Sequence, residues 1–259
     1  MRCFVLGTIF LSGAFFLNFP KVFSQNFALD TLRGTEGFQQ AVNLYHQYLS
    51  PETGLYDGSE YAYNTYYPFI INEGHPFFQK KGFDTGSVFY NNIFYEKVPL
   101  LYDIINGELL TINPTKIYII RLNGENIKWF TIYGRTFIHL VKDSTSANPL
   151  NTGFYNALYK GKTSLYKKVS KIFKENSSAG QGLNKYVVEV NDYFINKENG
   201  YFKIKNRKSL LNVLNNKKKE IGQFIKRNKL NLRKNKEEAF IRIVGYYDEI
   251  TTNNTKAIN

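Results

Sequence analysis

The stretch GSVFYNNIFYEKVPLLYDIINGELLTINPTKIYII runs from Gly86 to Ile120. Its short apolar runs, GSVFY, NIFYE, VPLLYDI, ELLTI and KIYII, are rich in β-branched and aromatic residues. They are separated by Asn91-Asn92, Asn106-Gly107 and Asn113-Pro114. Side chains of the first kind fit a pleated, half-buried surface, and Asn and Gly tolerate the backbone of tight reversals. IKWFTI and TFIHLV extend the pattern past Asn123-Gly124 to residue 141. Parallel neighbours need crossovers of a dozen or more residues, and these connections are far shorter. The stretch therefore reads as a curved antiparallel β-meander.

Downstream, KDSTSANPLN (142–151) reads as a loop and a candidate sub-boundary, and FYNALYKGKTSLYKKVSKIF as two strands turning at Lys160-Gly161-Lys162. In LYKKVSKIF, two-residue alternation puts Leu165, Lys167, Val169, Lys171 and Phe173 on one face. Ser177 to Gly182 reads as a loop, and KYVVEVNDYFINKENGYFKIK as a hairpin turning at Lys197 to Gly200. A helix follows, capped by Asn206, with Leu210, Leu211, Val213, Leu214, Ile221, Phe224 and Ile225 on one side and most lysines elsewhere around it. A second helix spans Lys236 to Ile250, with Asn235 and Glu238 as a capping-box pair. The tail 251–259 reads as flexible. Upstream, TEGFQQAVNLYHQYL (35–49) carries apolar residues at helical spacing and is stopped by Ser50-Pro51. The fold class is α+β: a curved antiparallel sheet with an N-terminal helix and two C-terminal helices packed against it, in one domain over 25–250.

The first residues, MRCFVLGTIFLSGAFFLNFPKVFSQ, have a basic Arg2, an apolar Cys3–Leu17 and small residues at Val22 and Ser24. This is the pattern of a signal peptide over 1–24, cut between Ser24 and Gln25. The apolar run is shorter than the roughly 20 residues a membrane span needs. The processed chain is then expected to have no transmembrane span and, with Cys3 removed, no thiol for a disulfide, a thiolate metal site or a Cys nucleophile.

Charge is uneven. Residues 25–150 hold 9 basic and 12 acidic residues, a net −3, whereas 151–259 hold 23 and 9, a net +14. A one-sided excess of this size points to an anionic partner. The basic candidates are Lys217, Lys218, Lys219, Lys226, Arg227, Lys229, Arg233 and Lys234. Export disfavours nucleic acid and leaves envelope polyanions, lipid headgroups among them.

Catalytic signatures are sparse. Gly161-Lys162-Thr163 ends like a P-loop, but Asn156 stands where the first Gly of that motif belongs, so a hairpin turn is the better reading. No two of His46, His75 and His139 lie three or four residues apart, and no cofactor is called for. His75, next to Pro76 and near Glu73, with the acids Asp57, Glu60 and Asp103, makes the candidate set for an exported hydrolase. The 20 tyrosines and 22 phenylalanines point first to sheet core and second to a concave face holding an acyl chain or a glycan.

LYDGSEY (55–61), GHPFF (74–78), VPLLYDI (98–104), GFYNALYKGK (153–162), YFKIKNRKSLLNVLNNKKKEIGQFIKRNKL (201–230) and YYDEI (246–250) together resemble an exported protein family of unknown function from Bacteroidota. The resemblance spans nearly the whole processed chain. It implies an envelope location and a basic helix that belongs to the domain, and it assigns no residue a role. The functional expectation is an exported, periplasmic or outer-membrane-associated protein. It would bind an envelope protein, a lipid or a glycan and would not be an enzyme. The alternatives are the His75 hydrolase and polyanion binding through 217–234.

Overall fold

The computed structural model describes residues 54–142, 149–178 and 182–256. The expected signal peptide and cleavage site, the helix expected over 35–49 with His46, residues 143–148, residues 179–181 and the last three residues of the expected tail lie outside them. Ser177, Ser178 and Gly182, expected in a loop, extend strands instead, and residues 251–256 of the expected tail continue the last helix. Eleven strands form one sheet: β1 (Ser59–Glu60), β2 (Asp84–Tyr90), β3 (Ile93–Asp103), β4 (Glu108–Ile112), β5 (Ile119–Arg121), β6 (Ile127–Ile132), β7 (Arg135–Leu140), β8 (Gly153–Tyr159), β9 (Ser164–Ser178), β10 (Gly182–Lys197) and β11 (Gly200–Ile204). Every neighbouring pair is antiparallel. Among the described residues the α-helices are α1 (Tyr63–Tyr66), α2 (Arg207–Val213), α3 (Lys218–Arg227) and α4 (Lys236–Lys256). Among the described residues, no helix is long and apolar enough to cross a membrane.

The tight reversals follow the turn chemistry. Asn91 and Asn92 both have positive φ, 50° and 63°, and so do Glu198 and Asn199, 51° and 62°. Such pairs match the twist of the strands they join. Tyr133 and Gly134 make the same turn between β6 and β7, with φ of 50° and 66°. There the tyrosine is held by its backbone N–H donating to Asp84 and its hydroxyl donating to the Gly82 carbonyl.

The strand order is β1-β5-β4-β3-β2-β6-β7-β8-β9-β10-β11, so the meander is interrupted. At Asn123-Gly124 the chain does not turn back to pair β6 with β5. The Asn123 side chain accepts from the Glu125 N–H and caps a 3-10 turn over Gly124–Asn126. β6 then pairs with β2. The connector crosses the end of the β2–β3 hairpin, where Asn91 donates to the Asn126 carbonyl and buried Leu122 covers that end of the core. Turn chemistry specifies a reversal, and packing chooses the partner.

The sheet curls onto itself. Phe78 donates to Tyr102 O, Ile104 donates to Pro76 O, and Lys171 of β9 donates to Ile104 O. The interior is filled by rings: Phe130 stacks on Phe137 at 5.0 Å, and Tyr102 and Phe154 meet Phe130 edge-on at 5.2 and 5.1 Å. Edge-to-face packing at this spacing adds about 0.5–1.5 kcal/mol per pair beyond burial.

Beyond β8 the sheet is covered by helices. Leu165, Tyr193, Ile195 and Ile204 pack under Leu210, Leu214, Ile221, Ile225, Phe240, Ile243, Val244 and Tyr247. Asn206 and Ser209 form a reciprocal capping box that starts α2. The single helix expected from Asn206 is broken by a 3-10 turn at Asn215–Lys217. Asn is a poor helix former, and here the Asn216 side chain accepts from the Tyr247 hydroxyl, which ties the break to α4. The turn before α4 is held by Asn231, whose side chain accepts from the N–H groups of Arg233 and Lys234, and the Asn235 carbonyl accepts from the Ala239 N–H at the helix start. Glu237 in the first turn of α4 pairs with Arg135 at 3.1 Å and Lys167 at 2.8 Å. Asp248 accepts from the Thr163 N–H and the Tyr159 hydroxyl, so the Gly161-Lys162-Thr163 segment is a hairpin turn pinned by α4.

β9 runs through all of this. The face read from its alternation holds: Leu165 enters the helix-covered core, Val169 the curled core and Phe173 a third cluster with Tyr61, Tyr67 and Phe77. Lys167 and Lys171, the lysines between them, are half-buried and bonded inward to Glu237 and to the carbonyls of His75 and Phe77.

Candidate functional site

Asp103 ends β3 with no exposed surface. Its Oδ2 accepts from Tyr61 OH at 2.8 Å, Tyr67 OH at 2.6 Å and Asn106 Nδ2 at 2.9 Å. Its Oδ1 accepts from the N–H groups of Ile105 and Asn106 at 3.0 and 3.1 Å. Five donors saturate the carboxylate. Burial, followed by the charge and hydrogen bond of Asp103, pushes the Tyr61 phenol far above its ordinary value. Burial and the same hydrogen bond do so for Tyr67. Both hydroxyls stay protonated donors. This is a buried structural network, which the tyrosine-rich composition did not foretell.

His75 is half-buried, its ring against Phe77 at 6.3 Å. Burial, then Lys171 and Lys81, holds its pKa below the usual histidine value. No hydrogen bond among the described residues joins His75 to Asp57, Glu60 or Asp103. Glu60 is exposed on the two-residue edge strand β1. Asp57 accepts from Tyr90 OH at 2.6 Å and Asn91 Nδ2 at 3.1 Å. Burial and that bond raise the Tyr90 phenol to about 12. Asp57 and Asp103 thus serve different tyrosines, and no hydrogen bond among the described residues links the four hydrolase candidates to one another. His139 sits in β7 against Phe154 at 5.1 Å, also held low by burial.

The structure does gather Asp57 with Ser59, Glu108, Arg121 and Asn123 around an open polar cleft of about 470 Å³. Arg121 bridges its members, to Glu108 at 3.1 Å, to Tyr66 OH at 2.6 Å and to Ser59 at 2.8 Å. Gly58 is required there, since a Cβ would stand 2.0 Å from the Arg121 carbonyl oxygen. Each charged group in this cleft already has a partner.

The basic face differs in that respect. Lys217 is drawn to Glu220 at 3.5 Å and is half-buried. Lys234 lines a cleft with Glu237 and Glu238. Lys226, Lys229 and Arg233 come together with Arg207 around a cleft of about 480 Å³, over Ile225, Leu230 and Leu232. None of these four side chains makes an ion pair or hydrogen bond to another described residue. Lys218, Lys219 and Arg227 are exposed on α3 nearby. Arg207 was not among the sequence candidates. It lies outside the lysine-rich run, at the first position of α2, and only the return of the chain after α3 brings it beside Arg233. Among the described residues, no group of three or more His, Cys, Asp or Glu side chains could hold a metal ion.

No protein-family model, curated protein or solved structure matches this chain.

Proposed function

We propose that this is an exported cell-envelope protein, periplasmic or outer-membrane-associated, of the Bacteroidota family it resembles. It works by binding a partner at its surface and not by catalysis. One observation carries the reading: Asp103 and Asp57 are spent on internal hydrogen bonds, while four cations on the helical face share a cleft without a counter-charge. Unpaired charge costs little on a wet surface and is free to meet an incoming anion. The filled aromatic interior argues for an external working surface and against an acyl chain carried inside the curled sheet.

A native mass spectrum of the protein isolated from the envelope of its own host tests this. A chain beginning at Gln25 that retains a discrete lipid, glycan or protein is the expected result. A chain beginning at Met1, recovered bare from the soluble cell fraction, overturns it. The hydrolase reading predicts instead that His75→Ala abolishes an activity found in the same preparation.

A further inference from the structure

We infer that the cleft framed by Arg207, Lys226, Lys229 and Arg233 docks the phosphate headgroups of an anionic lipid surface. The inference rests on the binding reading above and names the partner at that same face.

Three observations converge. First, the cleft is lined by four cations and no acid, and the cations come from the start of α2, from α3 and from the segment that follows it. Two are guanidinium groups from different elements, and a guanidinium presents the forked donors that match a phosphate bidentately. Second, the floor is apolar. Buried Ile225 and half-buried Leu230 and Leu232 line the cleft together with the cations, and Asn231 is its one neutral polar residue. The aliphatic stems of Lys226 and Lys229 can lie along this apolar lining with their charged heads outward, at the level where phosphates would meet them. Third, the lining contains no aromatic residue. Single-stranded nucleic acid is held by bases stacked on aromatic rings, and a cleft of this composition offers no platform. The adjacent Phe224 is already stacked face to face on Tyr246 at 4.1 Å. Lys218, Lys219 and Arg227 extend the positive field beside the cleft.

The test is sedimentation of the processed protein with phosphatidylcholine vesicles, with and without phosphatidylglycerol, over a salt series. Two variants of equal charge are compared. One carries Arg207→Gln, Lys226→Gln, Lys229→Gln and Arg233→Gln. The other carries Lys218→Gln, Lys219→Gln, Arg227→Gln and Lys234→Gln. All eight side chains are solvent-facing, and the far-ultraviolet circular dichroism of each variant checks that the fold is kept. A basic residue at an anionic surface is worth about a five-fold change in partition, so losing the four residues of the cleft should cost up to about 600-fold. The expected result is salt-sensitive partition into anionic vesicles only, lost in the first variant and reduced less than about ten-fold in the second. Equal losses mean a diffuse positive surface and overturn the cleft. Absent partition, partition equally strong into neutral vesicles, or tighter binding to single-stranded DNA at the same salt also overturns it. Failure here with a protein or glycan still bound in the native mass spectrum leaves the binding reading standing and removes only the lipid.

Discussion

Up to β8 the sheet buries its inner face against itself. At Leu165 of β9, Tyr193 and Ile195 of β10 and Ile204 of β11 it needs helices to do so. The first region closes by backbone contacts around 76–78, 102–104 and 171 and fills its interior with Tyr102, Phe130, Phe137 and Phe154. The second carries α2, α3 and α4, whose buried stripe is aliphatic apart from Phe240 and Tyr247. The difference decides where a working surface can lie. A curled sheet spends polar groups on its own closure, as the donors around Asp103 show. A helix layer has an outer face that packing does not use, and there the lysines and arginines collect at little cost to stability.

The two regions are expected to unfold together. Phe130 and Phe240 are both fully buried, one in each core. Truncating a buried Phe to Ala costs about 3–5 kcal/mol. Because β9 places Leu165 in one core and Val169 in the other, Phe130→Ala and Phe240→Ala should each shift a single common transition in denaturant. Two transitions, with only one moved by each substitution, would make the regions independent.

A somewhat smaller effect tests the polar closure. Asp103→Asn keeps the volume but turns an NH₂ toward donors. Leaving buried donors unsatisfied costs roughly 1–3 kcal/mol each, so a loss of about 2–4 kcal/mol is expected by chemical denaturation. Tyr67→Phe should lose less, since it removes one donor and leaves a saturable carboxylate. A neutral outcome for Asp103→Asn would deny that the curled region depends on this network.

The smallest effect is in pH. Burial holds both His75 and His139 below the ordinary histidine value in the folded protein. The unfolded chain takes up these protons near pH 6.5, before the folded one does, so stability is undiminished above that pH and falls as pH drops through it toward the folded values. Thermal midpoints measured across this window should decline, and His75→Gln with His139→Gln should flatten the decline. Both residues serve the curled region, so an unchanged slope in the double variant would place the pH sensitivity elsewhere.

What could be read in the sequence was local. Asn91-Asn92 and Glu198-Asn199 became tight turns because a positive φ is a property of one or two residues. The alternation in LYKKVSKIF fixed a face because neighbouring strand side chains point to opposite sides. The stripe Leu210, Leu214, Ile221 and Ile225 marked the buried side of the basic segment for a similar reason. Asn123-Gly124 misled because a reversal signal does not name the strand that receives the returning chain. The same limit hid the candidate cleft. The lysine run was visible, but Arg207 lies outside it, Lys217 and Lys234 fall to Glu220 and to the Glu237–Glu238 cleft, and no linear pattern sorts free cations from paired ones.

The sequence by itself thus determined an antiparallel, aromatic-rich sheet with amphipathic C-terminal helices and a lopsided charge, because period, turn residues and composition act over a few positions. Tertiary structure alone decided that β6 joins β2, that Asp103 is consumed by five donors, and that four cations share one apolar-floored cleft. Those outcomes depend on which distant surfaces exclude water together, and burial of that kind is settled only when the whole sheet closes.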